Sequence, residues 1–597
     1  MAHFKTSTRD LNISYVTDIE GNFNFFRNFV TLSPAISFDE TGINLRLHDG
    51  YGFVFGGDLY DKGPYDIRLS QMLCDLKDKH PDRVWLLMGN RDINKLRLSS
   101  ELCTPQEMER LHDDSPFWDP FAPGLITWLQ HHQLPHTRVT RLQWILECTM
   151  GAPDAFEFRR QELYEIKTNY WHHLHQQASA TQSSTIMHDV AVMKSLVSDE
   201  EVLQSFIDSV APDGFVVRFL QLAQIAVRIH DTVFVHGAIT AKGLLYVPNM
   251  ELKHRHLWLQ TPPGKFLPLT TDIDIWFQEL NILKDKCLKD YLQRPHWEGE
   301  GGNNVTYQTR DYTPDGHLPH YDWSRRRGGE PLLALQSFAA SSGCNVCVEA
   351  YCKFNQHSYD NANPMDEKVY LYLKTCQINK VIVGHKPVGV TPLILRYSPS
   401  STSTSPPPPT KTTTTLSPKV IQAGLWEQGE ALNEKTFPCS QCIEVVCCDT
   451  SFSDPTSKIF PTDKRGIVAC DLTLKYSRTS MVTNPNPNSD PNPSFINDDM
   501  RIEVCFGDRN VLGQAVLTGV LSQNEKVTGH FDHKYVGKCT SDGWWVVLQE
   551  EQQSNDENNH NDKEVKLETR FLLSRTLGRD VTLLWLSEQD LILKFSS

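Results

Sequence analysis

The chain has 597 residues, too many for one ordinary core, and its 39% hydrophobic and 22% charged content excludes a mostly disordered polypeptide. A formal net charge of −15 argues against a protein built mainly to grip nucleic-acid backbones, although metals or a few cations could still attract an anion locally. The opening MAHFKTSTRD lacks the basic-then-apolar layout of a signal peptide, and no apolar run reaches about 18 residues. The expectation is a cytoplasmic protein with no membrane partner.

In chain order, NISYVTDIEGN reads as a strand that runs into Asp18 and Glu20. YGFVFGGDLYDKG does the same into Asp58 and Asp61, and RVWLLMGNRD into Asn90. The stretch 101–230 has little strand character. PGLITWLQHHQL, RLQWILECTM, RRQELYEIKTNYWHHLHQQ and VVRFLQLAQIAVRIH carry apolar residues at helical spacing, which predicts a helical insertion or cap. His172 and His173 in that stretch are read first as helix core or surface, and second as lining of a site.

Strand character returns with TVFVHGA, which ends in His236, KVIVGHKP, which ends in His385, and CIEVVCCDT, which ends in Asp449. The segment 398–415, SPSSTSTSPPPPTKTTTT, cannot bury a core and reads as a disordered insert. Beyond residue 500, short apolar runs such as RIEVCFG, GWWVVLQ and VTLLWLS predict a small β domain or an extension of a sheet. Low-complexity inserts at 483–494 and 550–564 fall within the β-rich region 453–597. The 15 cysteines are scattered through a long chain, which fits reduced thiols. The pairs Cys344/Cys347 and Cys439/Cys442 have zinc-ligand spacing but sit in apolar runs, so core thiols are the preferred reading.

A single Asp or His at a strand end is usually a turn former or helix cap. Six apolar runs that end in Asp, Glu, Asn or His, with glycines beside several, point instead to convergent ligands beyond the carboxyl ends of strands. Carboxylate, amide oxygen and imidazole together suit Mn, Fe, Zn or Mg. They supply enough donors for two ions about 3.5–4 Å apart, bridged by one carboxylate.

The ordered set DIEGN, GGDLYDKG, GNRD, VHG and GHKP resembles the calcineurin-like metallophosphoesterase superfamily, and most of all its phosphoprotein-phosphatase branch. That resemblance implies an α/β fold, a two-sheet sandwich flanked by helices, here with a helical insertion and a C-terminal β-rich region. The implied layout is a core first half at 10–100, the insertion at 101–230, a second half at 231–452 and the β-rich region at 453–597. The implied metal ligands are Asp18, Glu20, Asp58, Asn90, His236 and His385, holding two divalent ions with Mn favoured. Asp58 would bridge the ions. Lys62 and Arg91 would bind substrate phosphate and act in catalysis with Asp61, while Asp92 would orient its neighbours. The implied reaction is hydrolysis of a phosphate ester or anhydride by in-line attack of a metal-bridging hydroxide. The substrate would be a phosphoprotein, a nucleotide or a small phosphate ester.

Three positions depart from the pattern, and one of them, Lys62, stands where the family has an arginine that contacts substrate phosphate, keeping the charge but losing the bidentate fork. Glu20 stands where the family has a histidine ligand, and a carboxylate there favours harder ions over Zn. Arg91 stands where the family has the histidine that protonates the leaving group. A guanidinium stays charged and cannot donate that proton, but it can stabilise phosphoryl charge. General acid catalysis contributes about 10²–10⁴-fold, so its loss favours good leaving groups. Asp61 is expected to pair with Arg91 and aim it at phosphate. The alternatives are a salt-bridged structural arginine and, for the whole chain, a pseudophosphatase that serves as a binding scaffold.

Overall fold

The computed structural model describes residues 11–103, 108, 122–168, 190–241, 243–248, 264–293, 295, 365–385, 393–397, 443–449, 468–478, 495–506, 517–518, 526–530, 545–554, 566–577 and 580–596. His172, His173, both CxxC pairs and the segments 398–415 and 483–494 lie outside the described residues.

All six apolar runs form strands, three in each of two sheets. In the first sheet Asn12–Val16 lies parallel to Tyr51–Phe55, which lies parallel to Val84–Leu86 at the sheet edge. In the second, Lys380–Val383 runs parallel to Thr232–Val235 on one side and to Ile443–Cys447 on the other. Ala226–Ile229 and Leu393–Tyr397 close that sheet as antiparallel edges. Strands such as TVFV and KVIV are buried along their whole length, which explains runs that are apolar without alternation. Parallel strands within a sheet bring their carboxyl ends to the same side, so the residues that follow can meet.

The sheets face each other through Tyr15 and Phe234, whose ring centroids are 5.8 Å apart. They are also stitched at an edge: Gln224 donates to the Leu86 carbonyl at 2.8 Å and accepts from the Met88 amide at 3.0 Å. Helix Phe23–Leu32 starts where Asn22 accepts from the Phe25 amide at 2.9 Å. It sets Phe29 against Phe53 of the first sheet. The result is a mixed α/β fold with helices flanking two sheets.

The C-terminal strands extend the first sheet. Val468–Arg478 pairs antiparallel with Asn12–Val16, and six further strands carry the sheet to ten. One of them, Trp545–Ser554, pairs with Lys566–Leu577 and so continues into the polar run expected to be an insert at 550–564. Backbone pairing needs no apolar side chains, so Glu550, Glu551, Gln552 and Gln553 take part in the ladder.

The stretch 101–230 is largely helical where described, with helices Leu125–His132, Arg138–Trp144, Ala155–Lys167, Val190–Leu196, Asp199–Ser209 and Phe215–Leu222. The last helical pattern ends earlier than its spacing predicts. Helix Phe215–Leu222 stops, and Ala226–Ile229 forms a hairpin with Thr232–Val235 around His230, whose φ is 54°. Among the described residues, no helix is long and apolar enough to cross a membrane.

Candidate active site

The strand ends place Asp18, Asp58, Asn90, His236 and His385 around one point, and they do so at the cost of backbone strain. Nine non-glycine residues among those described have positive φ, and five of them are Asp18 (53°), Glu20 (49°), Asp58 (55°), Asp61 (106°) and His385 (72°). Side chains rarely adopt this region, and such strain clusters where a fold over-determines a functional geometry. Gly57 and Gly89 make the close approach possible. Gly57 has φ +97°, and a Cβ on Gly89 would lie 2.1 Å from Asp58 Oδ1.

Carboxylate and imidazole atoms of Asp58, His236 and His385 all lie within 4.8 Å of one another. His236 Nε2 is 3.4 Å from Asp58 Oδ2 and 3.3 Å from Asn90 Oδ1. The other ring nitrogen, Nδ1, donates to the Gly56 carbonyl at 2.8 Å, which fixes the tautomer that turns Nε2 toward the cluster. Burial opposes charge on this ring, but the carboxylates of Asp58 and Asp18 prevail and its pKa is raised to about 10. Burial likewise opposes an ionised Asp58, yet the neighbouring His236 and Arg91 hold its carboxyl below the usual range.

Asp92 fastens the two loops that carry Asp58 and Asn90. Its carboxylate accepts from the amides of Asp58 (3.0 Å), Leu59 (2.8 Å) and Gly89 (2.7 Å). Asp18 Oδ2 accepts from the His385 amide at 3.0 Å and from the Thr17 hydroxyl. Burial raises the Asp18 pKa to about 7, helped by Asp58 and Glu20 and opposed by His236.

Glu20 faces cations of the chain itself. Its Oε1 is 2.7 Å from Arg91 Nε and 3.0 Å from Lys62 Nζ. Arg91 also reaches Asp61 Oδ2 at 3.4 Å through Nη1, and the same nitrogen donates to the Met150 carbonyl at 3.0 Å. Its Nε lies 3.9 Å from Asp58 Oδ2. The Asp61 pairing is therefore present, but most of the guanidinium is engaged by protein acceptors. Although burial disfavours the charged guanidinium, Glu20, Asp61 and Asp58 raise its pKa further above the usual arginine value.

Several contributors were not singled out in the sequence. Lys95 is buried and bonds Asp61 and the Asn94 side chain. The helical stretch reaches the site through Met150, just after the π-helical turn Ile145–Thr149, and through Ala155–Lys167. From that helix Arg159 pairs with Asp66 at 3.0 Å, and Glu162 accepts from the amides of Ile67 and Arg68. These bonds anchor the loop that carries Asp61 and Lys62. A signal existed for the helix, because Arg159 and Glu162 follow Ala155 at i+4 and i+7, where a core-facing stripe calls for apolar residues. Lys95 had none.

The donor set Asp58, His236, His385 and Asn90 fits a divalent ion of the Mn, Fe or Zn type. Asp18, Glu20 and Asp58 form no comparable cluster among the described residues. Residues 11–181 match the sequence model of the calcineurin-like phosphoesterases. No curated protein matches the chain in sequence. Solved structures similar to it include the cold-active protein-tyrosine phosphatase of a psychrophilic Shewanella species, at 11% identity and TM-score 0.30, covering 78% of this chain and 76% of that one. Another is a protein serine/threonine phosphatase from Saccharomyces cerevisiae, at 10% identity and TM-score 0.26, covering 83% of this chain and 80% of that one. The segment 11–181, which carries Asp18, Glu20, Asp58, Asn90 and Arg91, is thus similar to the calcineurin-like phosphoesterases.

Proposed function

We propose that the chain hydrolyses phosphate esters or anhydrides in a metal-dependent reaction, and that it works in the cytoplasm. The observation that carries the reading is the convergence of Asp58, His236 and His385 within 4.8 Å, with Asn90 beside them. A divalent ion held there supplies Lewis-acid polarisation of phosphoryl oxygens and activation of water. The cytoplasmic placement rests on thiols: Cys74, Cys103 and Cys376 form no disulfide.

The chain's own groups do the rest. His236 is held by Gly56 so that one nitrogen is presented to the cluster. Asp92 keeps the Asp58 and Asn90 loops in register through three backbone amides. Arg91 and Lys62 bring positive charge to the site and favour an anionic substrate. Arg91 holds its proton too tightly to pass it to a leaving group, so the reading favours aryl phosphates and phosphoanhydrides over alkyl esters. The substrate is a phosphorylated protein, a nucleotide or a small phosphate ester.

The test is hydrolysis of p-nitrophenyl phosphate and diadenosine polyphosphates by the full chain with Mn²⁺, beside Asp58→Asn. Turnover that requires Mn²⁺ and vanishes in the variant supports the reading. Equal rates in the two proteins would sink it. A second reading, a pseudophosphatase scaffold, is favoured by the engagement of Glu20 with Arg91 and Lys62. It predicts metal uptake without turnover.

A further inference from the structure

The three departures from the family pattern meet on one carboxylate oxygen. Glu20 and Arg91, far apart in sequence, meet at 2.7 Å, and Lys62 joins the same carboxylate oxygen at 3.0 Å. The Glu20 and Arg91 side chains are 4% and 16% exposed, so this cluster is largely shielded from water. Asp58 Oδ2 sits between two different neighbours: the His236 imidazole at 3.4 Å and the Arg91 guanidinium at 3.9 Å. A carboxylate that bridges two ions has a cation on each side. Here one side offers ligand atoms and the other is already occupied by a protein cation.

The remaining geometry agrees. Among the described residues, the cluster of three His, Cys, Asp or Glu ligands is Asp58, His236 and His385, and Asp18 and Glu20 are not part of it. Asp18 Oδ2 is satisfied by the His385 amide and the Thr17 hydroxyl. Arg91 is further fixed by Asp61 and the Met150 carbonyl, so it is not a side chain that swings away freely. A divalent ion next to Glu20 would have to displace a guanidinium and an ammonium contact and then stand against the same two positive charges.

We infer that this protein is a single-metal relative of the calcineurin-like phosphoesterases. One divalent ion binds Asp58, Asn90, His236 and His385, and the Glu20–Arg91–Lys62 ion-pair cluster takes the position of the second ion. The inference rests on the metal-dependent reading above and narrows it. Arg91 and Lys62 supply the second portion of positive charge as fixed protein cations. Unlike an ion, they add no open coordination position and bind no water as a ligand.

The experiment is metal counting on the full chain, stripped with chelator, reconstituted with excess Mn²⁺ and desalted. Elemental analysis gives the ratio of Mn to protein, and electron paramagnetic resonance separates an isolated Mn(II) from an exchange-coupled pair. The expected result is a ratio of one with an isolated-ion spectrum, and the same ratio in Glu20→Gln. A ratio of two with a coupled spectrum overturns the inference and leaves metal-dependent hydrolysis standing. A ratio of zero overturns both. Loss of the ion in a Glu20→Gln protein whose circular dichroism is native makes Glu20 a ligand and also overturns the inference. If that variant does not fold, the wild-type ratio and spectrum still decide.

Discussion

The two sides of Asp58 are built by opposite means. Toward His236, His385 and Asn90 the chain presents imidazole, amide and carboxylate atoms, and the charge on His236 is a proton that an incoming ion can expel. Toward Glu20 it supplies the cations itself, with Arg91 and Lys62 closing on one carboxylate oxygen. Both sides answer the same electrostatic problem, since Asp18, Glu20, Asp58 and Asp61 are all buried and need positive charge nearby. One side leaves that charge to be acquired from solution, and the other encodes it in sequence. A site can thus keep its frame while changing which of its charges are removable.

Four measurements distinguish the two sides. The largest effect is expected on the acquired side. His236→Ala should weaken Mn²⁺ binding by more than the roughly 10–100-fold typical of losing an outer-shell partner, as read by isothermal titration. On the encoded side, Glu20→Gln should leave Mn²⁺ affinity within about threefold. It should lower stability by about 3 kcal/mol, because Arg91 and Lys62 lose a buried counter-charge. Denaturant titration of metal-free protein measures that loss, and an unchanged midpoint would show the ion-pair cluster to be energetically idle.

The next effect is on pH. His236 in the metal-free protein holds a proton up to about pH 10, and an incoming ion must expel it. Mn²⁺ affinity should therefore rise by about tenfold per pH unit below that value and level off above it. Titrations in buffers of different ionisation enthalpy count the released proton. The smallest effect belongs to the helical stretch. Glu162→Gln should cost about 1 kcal/mol by weakening its bonds to the Ile67 and Arg68 amides and to Arg159, with metal affinity unchanged. Burial already raises the Glu162 pKa to about 8, which keeps the loss of charge modest.

The six strands were legible because buried parallel strands need continuous apolar runs, and TVFV, KVIV and IEVV leave few alternatives. Their terminal Asp, Asn and His were legible because polar groups that converge there are not forced into the sheet. The end of the last helical pattern was not, since LAQIAVRI suits helix spacing as well as it suits a turn followed by a short edge strand. Nor could the sequence show that Asp18, Glu20, Asp58, Asp61 and His385 share left-handed backbone, because φ is set by the closed loops and not by residue type. Most consequential, Glu20 and Arg91 were visible as two separate departures. Their contact depends on how the Asn12–Val16 and Val84–Leu86 strands flank Tyr51–Phe55. Register across three strands is a tertiary fact, and it turns two apparent losses into one ion pair.

The most direct test of the divided site is anomalous diffraction at the manganese edge from crystals of the full chain grown with Mn²⁺. One peak is expected, bounded by Asp58, Asn90, His236 and His385, with Arg91 in contact with Glu20. A second peak beside Glu20, with Arg91 displaced, would contradict it.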